Sequence, residues 1–289
     1  MSDHILRATA ASGKLRAFFA DTRDTVGEAR RIHKTSPVVS AALGRLLTAA
    51  AMMGLDLKNP GDLLTLVIKG DGPVGTVLAT ADGKGNVKGY AGVPYANIPP
   101  KPNKKLDVSG IIGTGTLNVI KDTGIKEPYS GSVELQTGEI AEDIAYYFSQ
   151  SQQIPSAVAL GVLVNADLSI RRAGGFIIQL MPGAEDSLID FLEDRIRSLG
   201  SITTLYENGY KPESLARELL RPLGCKITDK IPVHYTCNCN KERVKKALIS
   251  LGSAELNKIA DEDKSATVNC HFCSRSYKFN EYDLRNLAR

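Results

Sequence analysis

The sequence predicts an α+β protein: an N-terminal sheet-and-helix core, a helical linker, and a small C-terminal domain organised around cysteine. Three observations predict this class. Short β-rich runs separated by turn residues fill much of the stretch from Leu63 to Met181. A nearly uncharged run from Val38 to Met53 reads as a helix buried against them. All five cysteines of the 289-residue chain fall after residue 224. Domains run to roughly 100–200 residues, so this length predicts about two. A composition of 43% hydrophobic and 24% charged residues supports a sizeable core and argues against global disorder. The net charge of +4 is too small to indicate nucleic acid by itself.

The N-terminal residues to Phe19 alternate charge with short apolar patches. They lack the uninterrupted apolar segment of a signal peptide, and no run reaches the ~20 residues of a membrane span, so a cytoplasmic protein without membrane contact is expected. Ser36-Pro37 is a helix start, a capping hydroxyl followed by proline at the first helical position. Gly54 is expected to end that helix. Arg45 is its single charge, so nearly every face is apolar, the pattern of a buried central helix.

Leu63–Lys69, Val74–Thr80 and Asn86–Ala91 are separated by Asp71-Gly72-Pro73 and Asp82-Gly83-Lys84-Gly85, which predicts an antiparallel meander. The proline-rich stretch from Tyr95 to Asp107 reads as an extended connection. Strands resume at Gly115–Lys121, Gly131–Leu135, Gly161–Ile170 and Gly175–Met181. Between them Ile140, Ile144 and Phe148 form one helical stripe. Residues 1–183 are assigned to this core.

Residues 184–230 are assigned to a metastable helical linker. Ile189, Leu192, Ile196 and Leu199 mark one amphipathic helix closed by Gly200, and Pro212–Leu220 marks another ended by Pro222 and Gly224. Nine acids and seven bases between Glu185 and Lys230 leave these helices narrow apolar faces, so their stability must come from packing on something else. Residues 231–289 form the small C-terminal domain.

That domain carries Cys237-Asn238-Cys239 and, 30 residues later, Cys270-His271-Phe272-Cys273. Two close pairs from separate segments can supply the four thiolates of a tetrahedral zinc site. Helices are expected at Asn240–Leu251 and Ser253–Ile259, with Asn240 and Ser253 as their caps, a strand at Ser276–Phe279, and a terminal helix capped by Asn280 with Asp283. A domain of this size has a thin core and usually needs a metal or disulfides. Cys225 reads as a free, partly buried thiol, and His234 and His271 as spectators beside four thiolates.

A purely structural zinc site is one reading, and the CxC half argues for another. A disulfide between residues i and i+2 needs restricted geometry, so it would be easily reduced. Zinc supplies about 10–16 kcal/mol of folding free energy in small metal domains. A disulfide closing so short a loop supplies about 2 kcal/mol, and neither local bond would join the two halves. Oxidation would exchange a large stabilisation for a small one, and the domain should unfold.

Other motifs carry little chemistry. Gly70-Asp71-Gly72-Pro73-Val74-Gly75 has no Lys-Ser/Thr after it and reads as a turn rather than a phosphate loop. Gly113-Thr114-Gly115-Thr116 is equally ambiguous. No Ser-His-Asp or paired-carboxylate set can be composed, so no enzyme is expected. Lys241, Arg243, Lys245 and Lys246 leave open a zinc-module nucleic-acid-binding protein, although a four-thiolate zinc centre of charge about −2 offsets much of the local basic excess.

Taken with Tyr129–Leu135, Gly138–Phe148, Pro155–Gly161, Gly174–Ala184 and Arg7-Ala8-Thr9-Ala10, the cysteine pattern resembles the thirty-three-kilodalton heat-shock protein family, the redox-regulated bacterial holdase chaperones. The resemblance spans nearly the whole chain, with no departure at Cys237, Cys239, Cys270 or Cys273. It implies that the reduced form binds Zn2+ through these four and is inactive. It also implies that peroxide or hypochlorite, aided by unfolding conditions, pairs Cys237 with Cys239 and Cys270 with Cys273 and releases zinc. The C-terminal domain and linker then unfold, and the exposed apolar surface holds unfolding client proteins without ATP. The implied active form is a homodimer, reset by thioredoxin or glutaredoxin systems, that passes clients to ATP-dependent foldase chaperones. The smaller ring strain of the Cys270–Cys273 bond predicts that it forms first.

Overall fold

Strand pairing builds two sheets on either side of one apolar helix, one antiparallel and the other antiparallel except for a parallel pairing of its last strand. The structure, a computed structural model, describes residues 2–124 and 127–288; Met1 and Arg289, which bound the expected domains, lie outside them. The chain runs β1 (His4–Ala10), β2 (Leu15–Asp21), α1 (Arg23–His33), α2 (Pro37–Gly54), β3 (Leu63–Gly70), β4 (Thr76–Ala81) and β5 (Asn86–Ala91). It continues through α3 (Val108–Ile112), β6 (Gly115–Asp122), β7 (Tyr129–Glu134), α4 (Ala141–Gln152), β8 (Ser156–Val164) and β9 (Ile170–Leu180). Then follow α5 (Asp186–Leu199), α6 (Ile202–Glu207), α7 (Pro212–Leu220), β10 (Lys226–Pro232) and β11 (His234–Tyr235). Two compact units divide between Tyr235 and Thr236.

In the first unit one sheet has the order β10-β1-β2-β9-β8 and the other β11-β5-β4-β3-β6-β7. The helix α2 is 89% buried between them, its Leu43, Leu46, Leu47 and Met52 packed among Leu64, Leu66 and Val77 of one sheet and Phe18, Leu160 and Ile177 of the other. It is long and apolar enough to cross a membrane, and it is a core helix instead. The Ser36 hydroxyl accepts from the Val39 amide as expected of a cap. Gly54 ends the helix by packing rather than by a left-handed cap: a Cβ there would lie 2.9 Å from the Ala81 side chain and from the Asp82 carbonyl.

The expected strand Gly161–Ile170 is corrected. It crosses a hairpin: β8 stops at Val164, the Asn165 amide donates to the Ser169 carbonyl to bring the chain back (2.9 Å), and Leu168 takes a left-handed φ of +69°. The meander, the connection after β5 and the Ile140–Ile144–Phe148 stripe of α4 stand where expected. The strands β1 and β2 and the helix α1 were not expected.

The linker helices cover the outer face of the five-stranded sheet. Leu188, Leu192, Ile202, Leu205, Leu215 and Leu219 pack on Leu6, Leu15, Phe19 and Phe176. The short helix α6 crosses β8 and β9 where Gly161 faces Gly174 in register. A Cβ on Gly161 would meet Thr203 at 2.5 Å, and one on Gly174 would meet the Tyr206 ring at 2.8 Å, so both positions need glycine for the helix to lie this close. The Tyr206 hydroxyl donates to the Ala20 carbonyl (2.6 Å), and Glu213 of α7 pairs with His4 (3.1 Å) and Lys230 (2.8 Å). The strand β10 then pairs with β1 from Lys226 to Pro232.

The second unit contains α8 (Lys241–Ile249), α9 (Ser253–Glu262), β12 (Ser265–Asn269), β13 (Ser276–Asn280) and α10 (Glu281–Leu287). Its core is Val244, Leu248, Leu256, Ala260, Phe279 and Leu284. Asn240 caps α8, and Asn280 with Asp283 caps α10, both as expected, whereas the expected Ser253 cap is corrected: Ser253 is the first residue of α9, and Gly252, at a φ of +88°, stands at its N-cap with no side chain to accept.

One half-buried ion cluster ties α2 to the loops around it. Glu139 receives Arg45 (2.6 Å) and Lys101 (2.6 Å). Burial alone would raise this carboxyl, but the two cations outweigh it and hold it below the ordinary carboxylate range. A carboxylate so lowered adds stability above its unfolded value and loses it as pH falls through its folded value. Glu139→Gln is expected to cost about 1–3 kcal/mol at neutral pH, because Arg45 loses its partner. It should also flatten the acid limb of a urea-midpoint curve below about pH 4.5, where the wild-type carboxylate titrates; a limb as steep as wild type would exclude this role.

Candidate metal centre

Local chain chemistry brings two segments together. Cys237 and Cys239 lie in the irregular segment between β11 and α8, and the Asn240 side chain, accepting from the Arg243 amide (2.8 Å), turns the chain into the helix immediately after Cys239. Cys270 and Cys273 occupy the turn of the β12–β13 hairpin. That turn is closed by the Cys270 amide on the Arg275 carbonyl (2.9 Å) and the Ser274 amide on the Cys270 carbonyl (2.8 Å).

All four sulfurs lie within 4.8 Å of one another. Cys237 Sγ is 3.7 Å from Cys270 Sγ, and Cys239 Sγ is 3.3 Å from Cys273 Sγ. A tetrahedron with metal–sulfur bonds of about 2.3 Å has sulfurs about 3.8 Å apart, so the spacing and the soft donor set fit zinc. Each cysteine is half-buried. Burial opposes ionisation of Cys239, yet the Tyr277 hydroxyl at 3.1 Å and the neighbouring thiols bring it down to about 7. Burial, with the neighbouring thiols, pushes Cys273 up to about 12. One sulfur ready to ionise beside Cys237 and Cys273, which resist, suits a cluster whose full ionisation requires a cation.

His234, His271 and Cys225 are not in this cluster. Cys225 packs at the edge of the linker's apolar cluster, where burial raises its thiol. Of the basic residues after Cys239, Lys241 faces Asp283 (3.9 Å) and Lys245 faces Glu242 (2.9 Å). Sequence reasoning did not single out Tyr277, although alternation along β13 puts it on the same face as buried Phe279.

The features define a class: an α+β protein whose C-terminal unit is organised around a cluster of four thiols able to hold a metal ion. A family model described as Hsp33 protein matches residues 3–280. The 33 kDa chaperonin of Lachnoclostridium phytofermentans is 52% identical over 287 residues, covering 99% of this chain and 98% of that one. The 33 kDa chaperonin of Clostridioides difficile is 50% identical over 290 residues, covering 100% and 99%. The crystal structure of the 33 kDa chaperonin from Thermotoga maritima matches with a TM-score of 0.91 at 34% identity, covering 100% of this chain and 98% of that one. The chain belongs to the Hsp33 family, a family of chaperones.

Cobalt(II) added to the reduced, metal-free protein is expected to give the intense thiolate-to-metal absorption of a tetrahedral sulfur site at one ion per chain, displaced by zinc. Each of Cys237→Ser, Cys239→Ser, Cys270→Ser and Cys273→Ser should weaken binding by more than the ~10–100-fold that an outer-shell change costs. A cobalt spectrum unchanged by any one of these would remove that cysteine from the ligand set.

Proposed function

We propose that this protein is a redox-regulated, ATP-independent holdase whose zinc-bound reduced form is inactive. The observation that carries the proposal is the convergence of four thiols on a unit with only six buried apolar side chains. Cys237, Cys239, Cys270 and Cys273 hold Zn2+, which supplies cross-linking of the two ligand segments and charge balance. Peroxide oxidises each pair: two thiolates and hydrogen peroxide, with two protons, give one disulfide and two waters. The pairs are Cys237–Cys239 and Cys270–Cys273, and zinc leaves as its ligands are consumed.

Support comes from magnitudes and from chain connectivity. The zinc contribution, about 10–16 kcal/mol, is replaced by about 2 kcal/mol per short-loop disulfide, so the C-terminal unit unfolds. Only Thr236 separates β11 from Cys237, so the loosened segment continues directly into the strand and linker. The linker helices leave the sheet, and the apolar residues beneath them hold unfolding clients. The active form is a homodimer in the cytoplasm, reset by thioredoxin or glutaredoxin systems, with clients released to ATP-dependent foldases. It catalyses no reaction.

Light scattering of a thermally aggregating client tests this. Protein oxidised by peroxide at raised temperature should suppress aggregation and contain no zinc, and the reduced protein should do neither; equal behaviour of the two forms would end the proposal. At low temperature peroxide should first give Cys270–Cys273, with little activity until Cys237 and Cys239 also react or heat loosens the linker. Disulfide mapping that finds Cys237–Cys239 first would contradict the ring-strain argument.

Linker docking can be attacked without touching a thiol. Gly161→Val drives a side chain into Thr203 and Ile202, and should undock α6. The reduced, zinc-loaded variant is expected to bind an apolar dye and to suppress aggregation without oxidant; wild-type behaviour would separate linker docking from activity.

A further inference from the structure

We infer that Tyr277 is a positioning residue of the metal centre, its hydroxyl donating to Cys239 Sγ and so restraining both the departure of the metal and the attack of oxidant at that sulfur. The inference rests on the proposed zinc–thiolate switch and assigns one of its four sulfurs a distinct environment. Tyr277 lies in β13 opposite Val268 of β12, and Phe279, two residues on, is fully buried. Strand alternation therefore fixes the tyrosine on the face held by the core, and its hydroxyl reaches Cys239 at 3.1 Å. Cys239 belongs to the other ligand segment, so this contact joins the CxC segment to the hairpin independently of any metal. A metal-bound thiolate carries no proton, so the hydroxyl must be the donor and the sulfur the acceptor.

A donor on a ligating sulfur draws electron density from it. The thiolate becomes a poorer nucleophile toward peroxide, and its position is held when the metal–sulfur bond stretches. Outer-shell partners of this kind typically change metal affinity 10–100-fold.

The experiment compares zinc-loaded wild type, Tyr277→Phe and Val268→Ala. Val268→Ala weakens the same hairpin while leaving the hydroxyl in place. Zinc affinity is read by competition with a chromophoric chelator, and oxidation is read cysteine by cysteine, by alkylation and mass mapping during peroxide exposure. Tyr277→Phe should bind zinc about 10-fold more weakly and should speed oxidation of Cys239 relative to Cys270 and Cys273. Val268→Ala should accelerate all four cysteines together. If Tyr277→Phe matches wild type in both readings, or accelerates all four cysteines alike, the inference is overturned while the zinc switch stands. A wild type that holds no zinc overturns both.

Discussion

Four sulfur atoms crowded within 4.8 Å are the constraint on which the C-terminal unit depends. As thiolates they would repel one another strongly at that range, and as thiols they offer only weak hydrogen bonds. The arrangement is stable when a cation neutralises it, and it sits where the rest of the unit is weakest. The apolar core of Val244, Leu248, Leu256, Ala260, Phe279 and Leu284 lies among two short strands and three short helices. Such a core gives little margin against the entropy of ordering the chain. On the proposed function, the chemistry of the cysteines and the foldedness of the unit are therefore one variable.

The first unit is stabilised in a different way. Its inner core needs no ion, because α2 is wrapped by both sheets and the sequence of that helix is apolar on all sides. The outer face of the five-stranded sheet is just as apolar but is covered by shorter helices. These are held by a glycine pair, one tyrosine hydroxyl and the Glu213 ion pairs. Both faces of β9 are buried, one against α2 and one under the shorter helices.

How much was legible follows from how local the signals are. Ser36-Pro37, the turns of the meander and Asn280 with Asp283 are local chemistry, and they were read correctly. The CxC and CxxC spacing was equally local, so the cluster was visible even though its two halves lie 30 residues apart. The N-terminal strands were hidden because half-buried positions on them carry Arg7 and Arg16, whose charges break the apolar pattern. Both guanidinia lie over the Phe18 ring, at 5.7 and 6.0 Å, and pair with Asp229 and Asp56, partners no local window contains. The β8–β9 hairpin was misread because the apolar runs flanking Asn165–Ser169 looked continuous. Tyr277 and the Gly161–Gly174 pair were invisible for the same reason: their roles exist only across strands.

The linker leaves the five-stranded sheet at the end of β9 and returns to it as β10, so the cover is a loop anchored at both ends to the surface it hides. Such a loop is a tethered competitor with an effective concentration in the millimolar range for short flexible spans. Any segment that seeks the same face from solution has to displace a ligand that cannot diffuse away. On the proposed function, selectivity then needs no recognition of sequence: a segment is admitted only when it is apolar and abundant enough to outweigh the tether. Lengthening the loop would lower that threshold slowly, and cutting it once would leave each half held from one end only.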